Sequence, residues 1–303
     1  MDLKIGNIIK QRREELGLTQ AQLCDGLCNQ KTISRIENNT TQPSGYVIEN
    51  LFLRLEIPKN LYYDLLSTNN YEIAKIKNDI IIANRDKNFV KTNILIDNLK
   101  EYKESEEPYL KQFILRSEIV SKHKTISLEE EIELLKKAIS YTISNFDIDN
   151  FQDKFLNLEE SKIILTIASR YCELGKNEKG IHILQNLLLK NEKLIDLNED
   201  YVALVILIIY SLSQELCIKE DYYSALSIIE KGIKILTKFN KATELGDLLL
   251  NKGYCMFKIG KKEEAFLLYK KSIVVFDIFN LINKKTFAIK EAKELFEIDE
   301  SSL

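Results

Sequence analysis

The chain has no tryptophan, two histidines, three prolines and ten glycines in 303 residues. So few breakers over this length favour long helices joined by short turns. The histidines, His123 and His182, fall on polar helix faces. No Ser/His/Asp, Cys/His or metal-ligand spacing surrounds them, and no glycine-rich phosphate loop is present. An enzyme is therefore not expected, and neither is a cofactor. The five cysteines (Cys24, Cys28, Cys172, Cys217 and Cys255) form no CxxC pair and no even framework. They read as reduced, mostly buried small hydrophobes, with no metal site among them. No stretch reaches about 18 uninterrupted apolar residues, the longest running from Val202 to Tyr210. No transmembrane helix is expected. The N-terminus alternates charged and apolar residues from Asp2 onward, unlike a signal peptide, so a cytoplasmic location is expected. An excess of positive charge is also missing. The net charge is -3, and residues 1–66 hold eight Lys and Arg against eight Asp and Glu. Any nucleic-acid binding must rest on where these charges sit.

What is present is 45% hydrophobic and 29% charged residues, a globular balance in a chain long enough for two domains. Leu3, Ile5, Ile8, Ile9, Arg12 and Leu16 follow helical spacing, which predicts a first helix over 3–16 ended by Gly17. Thr19 with Gln22 reads as a capping box for a second helix that buries Leu23 and Leu27. Asn29 can cap a third, Gln30 to Asn38, which buries Ile33 and Ile36. That spacing leaves Gln30, Lys31, Ser34 and Arg35 on an exposed face carrying amides, a guanidinium and a small hydroxyl suited to base edges. Ser44 caps a fourth helix with Ile48, Leu51, Phe52 and Leu55 inward. Leu61, Tyr62, Leu65 and Leu66 predict a fifth, short one.

The string Leu18-Thr19-Gln20, Leu23, Ile33-Ser34-Arg35-Ile36-Glu37, Pro43-Ser44 resembles the five-helix phage-repressor-type (XRE) helix-turn-helix. The resemblance covers residues 1–66. It implies DNA contacts from Gln20, Asn29, Gln30, Lys31, Thr32, Ser34 and Arg35, with Gln20 meeting a phosphate. It also implies a structural pair, Arg13 with Glu37, locking the first helix to the third. Cys28 stands where the glycine of the turn is expected, and Asn39 where a glycine follows the recognition helix. The first departure implies a shorter turn; the second is mild, because asparagine tolerates a left-handed backbone.

Residues 67–70 read as a polar hinge, and 71–303 as helical pattern that repeats. Ala168, Ser213 and Gly253 are small residues in a first helix. Gly175, Glu220 and Gly260 follow at a turn. Gly180, Ala225 and Ala265 are small residues in a second helix, followed by Leu184, Ile229 and Tyr269 and then by Leu187, Gly232 and Ser272. Small residues let helices approach and large ones fill the gaps, the logic of a helical solenoid. The offsets resemble the tetratricopeptide repeat. Weaker units are expected at about 71–104 and 108–145, giving about five helix pairs, with a capping helix at 283–297. The fold class is thus all-α, a five-helix head followed by a tetratricopeptide-like solenoid.

In such arrays the first helix of each pair lines the inner surface. The inward positions are Lys162, Ser169, Glu173, Tyr210, Gln214, Asp247, Tyr254, Phe257 and Lys258, a mixture suited to an extended peptide. An XRE head before such repeats resembles the Rap/Rgg/NprR/PlcR/PrgX group of bacterial quorum-sensing receptors. That resemblance implies a homodimer on double-stranded promoter DNA, controlled by a short re-imported signalling peptide, with no membrane partner. Two alternatives stay open. One is a helix-turn-helix regulator whose repeats bind a protein partner; the other is a peptide-binding scaffold with a degenerate head.

Overall fold

The computed structural model describes residues 5–58, 61, 62, 65, 70–123, 125–242 and 244–297, and among these it is helical with no strand. Leu3, Leu66 and hinge residues 67–69 lie outside the described residues. Two compact units divide the chain between His123 and Lys124.

In the first unit, α1 (Ile5–Glu15) turns Ile5, Ile8 and Ile9 inward, as their spacing requires. Gly17 ends it with φ of 66°. The helices α2 (Gln20–Cys24), α3 (Gln30–Glu37) and α4 (Gly45–Arg54) each begin at the expected cap: Thr19, Asn29 and Ser44. Their apolar faces meet in one core of Leu23, Ile33, Ile36, Leu51, Phe52 and Leu55 around the α1 isoleucines, and Leu61 and Leu65 join it. Gly6 sets how closely α1 lies on α3: a Cβ there would sit 1.8 Å from the Ile36 carbonyl oxygen. No L side chain fits that gap without separating the helices.

The chain next forms α5 (Tyr71–Arg85), α6 (Phe89–Lys100) and α7 (Pro108–Lys122), with a short 3₁₀ turn at Lys103–Glu106. Asn70 caps α5, its side chain accepting from the backbone of Glu72 and Ile73. Where 67–70 reads as a hinge in the sequence, Ala74 is buried in the head core and Tyr71 packs against it. The Arg12 guanidinium lies 5.2 Å from the Tyr71 ring centroid. The start of α5 is therefore part of the head. Its remainder forms a second core with Ile96 and Leu99 of α6 and Leu110 and Phe113 of α7.

The second unit opens with α8 (Leu128–Ser140), so the helices expected to pair within 108–145 fall in different compact units. Instead α8 packs on the following pair. Arg170 bonds the buried Glu131 carboxylate at 2.8 Å. Three helix pairs follow: α9 (Leu158–Glu173) with α10 (Asn177–Asn191), α11 (Asp200–Ile218) with α12 (Tyr222–Lys238), and α13 (Leu245–Lys258) with α14 (Lys262–Ile278). The last described helix is α15 (Ile282–Phe296). The small residues of the repeat, Ala168, Ser213, Ala225, Ala265 and Ser272, are fully buried. The turn position takes a left-handed backbone in all three pairs: φ is 75° at Gly175, 62° at Glu220 and 88° at Gly260.

The 19-residue α11 is long and apolar enough, by length and composition, to cross a membrane. Ser211, Ser213 and Gln214 interrupt the apolar run without making the helix polar. Half of that stretch is buried inside the fold, where α11 packs against α10, α12, α9 and α13. A helix covered on so many sides is apolar nearly all round.

Candidate functional site

The head presents its polar face through local capping. Asn29 Oδ1 accepts from the Thr32 backbone N–H at 2.8 Å and from the Thr32 hydroxyl at 2.9 Å. Asn29 and Thr32 thus fix the start of α3. Gln30, Lys31 and Arg35 are exposed, and Ser34 is half-buried beside them. The C-terminal end is held as well: the Thr40 hydroxyl donates to the Arg35 carbonyl at 3.0 Å. The turn between α2 and α3 differs from expectation. Its left-handed residue is Gly26, with φ of 65°, and not position 28. The turn keeps a glycine, and Cys28 merely packs against the head core. Asn39 is left-handed as expected, at φ of 56°, and its Oδ1 accepts from the Gly6 N–H at 3.0 Å.

Arg13 and Glu37 join α1 to α3. Nε and Nη2 of Arg13 donate to the two oxygens of Glu37 at 2.6 and 3.0 Å, and Nη1 donates to the Leu18 carbonyl at 2.8 Å. The Glu37 side chain is 2% exposed. The Glu37 carboxylate holds the Arg13 pKa above its ordinary value against the effect of burial. Gln20 enters the same cluster, its amide donating to Glu37 at 2.8 Å. The sequence reading gives Gln20 a phosphate; the structure ties its nitrogen to the carboxylate that fixes α3.

Along the second unit, the first helices α9, α11 and α13 lie side by side. The predicted inward residues divide into two groups. Those of α9 are engaged locally: Lys162 pairs with Glu159 at 2.8 Å, the Ser169 hydroxyl donates to the Leu165 carbonyl at 3.1 Å, and Glu173 pairs with Arg170. Those of α11 and α13 converge. Gln214 donates to the Tyr210 hydroxyl at 3.0 Å. Burial, with the carboxylates of Asp247 and Glu291 facing it, raises the Tyr210 pKa. Asp247 pairs with Lys284 of α15 at 2.6 Å. Tyr254 carries the Lys258 ammonium 5.3 Å above its ring and meets Tyr222 edge-on. Phe257 packs edge-to-face on Phe296 and is turned into an aromatic group with Phe266 and Tyr269.

The structure also brings Glu291 beside Tyr210 and the buried Tyr269, a neighbourhood the sequence reading does not contain. Tyr269 is wholly buried, and its hydroxyl makes no direct hydrogen bond. It faces Glu291, and burial, reinforced by that carboxylate, raises its pKa. A signal was available. Asp247 and Lys284 are 37 residues apart, and so are Tyr254 and Glu291. Carrying that step once more along the chain places α15 in the inner row.

Burial is the main reason the Glu291 pKa is raised. The folded state therefore favours its protonated form. Its charge costs stability above the raised pKa, and the cost fades as pH falls below the ordinary carboxylate range. Glu291→Gln is expected to raise the melting temperature at pH 7 and to give no gain near pH 4, as thermal melts across that range will show. A gain of equal size at both pH values would contradict this assignment. Among the described residues, no group of three or more His, Cys, Asp or Glu side chains is placed to hold a metal ion.

The array also matches a known pattern. The RNPP family C-terminal domain matches residues 77–296. The chain belongs to the RNPP family. A helix-turn-helix pattern matches residues 9–59, which makes this member a helix-turn-helix DNA-binding regulator of the RNPP kind. Among solved structures, Bacillus thuringiensis PlcR in complex with the peptide PapR7 and DNA is 28% identical, with a TM-score of 0.68 over 94% of this chain and 99% of that one. The apo form of the same protein gives 24% identity and a TM-score of 0.62 over 95% of this chain and 98% of that one. The SHP pheromone receptor Rgg2 of Streptococcus dysgalactiae gives 14% identity and a TM-score of 0.54, over 96% and 99% of the two chains, a likeness of fold alone. No curated protein sequence matches the chain.

Proposed function

We propose that this RNPP-family regulator is a cytoplasmic quorum-sensing transcription factor. Its α3 helix reads promoter DNA as one half of a homodimer. Its repeats take a short re-imported signalling peptide on the inner surface. The reading is carried by one pairing within a chain of this family: exposed Gln30, Lys31 and Arg35 on α3, and an inner wall of Tyr210, Gln214, Asp247 and Tyr254. PlcR, 28% identical over nearly the whole chain, has been captured with both a peptide and DNA, which supports assigning both partners here.

In this reading Arg35 contacts a base edge, and Gln30 and Ser34 lie beside it. Lys31 meets phosphate, whereas Asn29, Thr32 and Gln20 hold the helix that carries them. The groove offers phenols, an amide and a carboxylate–ammonium pair, which suit the backbone and side chains of an extended peptide. Peptide binding acts by favouring one curvature of the array, and thereby one spacing of the two recognition helices. Half-sites lie about 34 Å apart per turn of duplex, so a small change of curvature decides whether both dock. The peptide can do this only through unequal affinity for the two states.

The test is a gel-shift titration on the intergenic DNA flanking the protein's own gene, with and without the small-peptide fraction of its host's spent medium. A sequence-specific shift that the fraction alters supports the proposal. A specific shift indifferent to the fraction removes the peptide and leaves a DNA-binding regulator whose array serves a protein partner.

A further inference from the structure

Two cysteines outside the DNA-reading face and the peptide wall stand sulfur to sulfur. Cys217 lies near the end of α11 and Cys255 near the end of α13, and their Sγ atoms are 3.1 Å apart. Cys255 is wholly buried and Cys217 half-buried. One belongs to the second helix pair and the other to the third, so a bond between them would cross from repeat to repeat. A disulfide bond is about 2.05 Å long, so the sulfurs need approach by only about 1 Å.

We propose that Cys217 and Cys255 form a dithiol site that a hydroperoxide oxidises to an intrachain disulfide, stapling the second helix pair to the third. The Cys217 sulfur attacks one peroxide oxygen. The O–O bond breaks, Cys217 becomes a sulfenic acid, and the thiol proton leaves with the departing oxygen as water. The Cys255 sulfur then attacks the Cys217 sulfur. The S–O bond breaks, the S–S bond forms, and the hydroxide takes the Cys255 proton as a second water. Two thiols lose two electrons in total, and one hydrogen peroxide gains them.

The other cysteines show why this pair is singled out. Cys172 occupies the equivalent end of α9, but its sulfur fills the space beside Gly180: a Cβ on Gly180 would lie 2.1 Å from it. It faces its own helix pair, and burial together with the Glu215 carboxylate pushes its thiol up to about 12. Cys24 and Cys28 share the head and belong to the other compact unit. Either thiol of the pair can donate to the other; donation from the buried Cys255 favours the Cys217 thiolate, the form that attacks peroxide. The half-exposed member is thus the attacking sulfur, and the buried member resolves the sulfenic acid.

The staple closes a 38-residue loop and removes conformational freedom from the unfolded chain. It joins the adjacent inner helices whose separation sets the curvature of the array.

The experiment uses the full-length reduced protein, hydrogen peroxide, a catalase quench, N-ethylmaleimide and trypsin. The expected product is the peptide Leu194–Lys219 linked to Gly253–Lys258, two hydrogens lighter than the separate peptides and cleaved by dithiothreitol. The melting temperature should rise by several degrees on oxidation. Cys217→Ser should lose both the linked species and the rise. Cys255→Ser should leave a sulfenic acid on Cys217 that dimedone traps. The Cys217 variant alters the half-exposed member, so it keeps the test decisive if loss of the buried thiol prevents folding. The proposal is overturned if wild-type protein yields both peptides alkylated by maleimide. It is equally overturned if Cys217 advances to sulfinic acid unlinked, or if it bonds Cys172 or a second chain.

Discussion

Replacing Arg35 with alanine is expected to lower affinity for the specific DNA site by about 5- to 150-fold while leaving the fold and peptide affinity unchanged. The magnitude is that of one bidentate guanidinium–base contact, about 1–3 kcal/mol. The side chain is exposed on α3, and its own backbone carbonyl is held by Thr40, so truncation removes the reading group without disturbing the helix. Lys31→Ala should behave differently. If Lys31 meets phosphate, its loss weakens specific and non-specific binding alike and reduces the slope of log affinity against log salt by about one. Fluorescence anisotropy over a salt series, on the cognate site and on a scrambled duplex, separates the two. Equal losses on both duplexes for Arg35→Ala would move Arg35 from base to backbone.

The second large effect lies beneath that face. Arg13→Ala is expected to destabilise the head by about 3–5 kcal/mol, the usual result of removing one partner of a buried ion pair. Glu37, 2% exposed in the intact head, would keep Gln20 as its side-chain donor and lose its cation among the described residues. Arg13 also donates to the Leu18 carbonyl just before α2, so one substitution loosens α1, α2 and α3 together. Hydrogen exchange read by mass spectrometry reports the head separately from the array. Protection should fall in peptides spanning 5–37 and persist in those spanning 158–278. Replacing both partners with apolar residues should recover much of the loss, because no stranded charge remains. Unchanged protection in the head of Arg13→Ala would show that the pair contributes little.

The sequence was legible wherever one residue answers to one local constraint. Gly180 and Gly253 mark close helix approach because a Cβ there would meet a neighbour at 2.1 and 2.8 Å, and Thr19, Asn29 and Ser44 mark helix starts because a side-chain oxygen must meet an open N–H. The Arg13–Glu37 pair came from resemblance, since nothing in a 24-residue separation points to contact. Features set by packing over distance escaped. Tyr71 and Ala74 look like the start of a new domain, but burial assigns them to the head. Gln20 reads as a phosphate contact until Glu37 is placed beside it. Nothing in the sequence singles out Glu291 until α15 is placed beside Tyr210 and Tyr269. Cys28 drew attention as a missing glycine while Gly26, two residues earlier, took the positive φ.

The apolar character of α11 has a consequence during synthesis. When the ribosome has released residues up to Ile218, that helix has only the pair before it to lie against. The helices α12 and α13, which cover its other sides, are still to be made. Until about residue 258 has emerged, the nascent chain exposes the most apolar surface it possesses, the kind that holdase chaperones bind and that aggregates when translation stalls. Chains ending between residues 219 and 258 are therefore expected to aggregate more than chains lacking only α15, so the order of synthesis bears on yield.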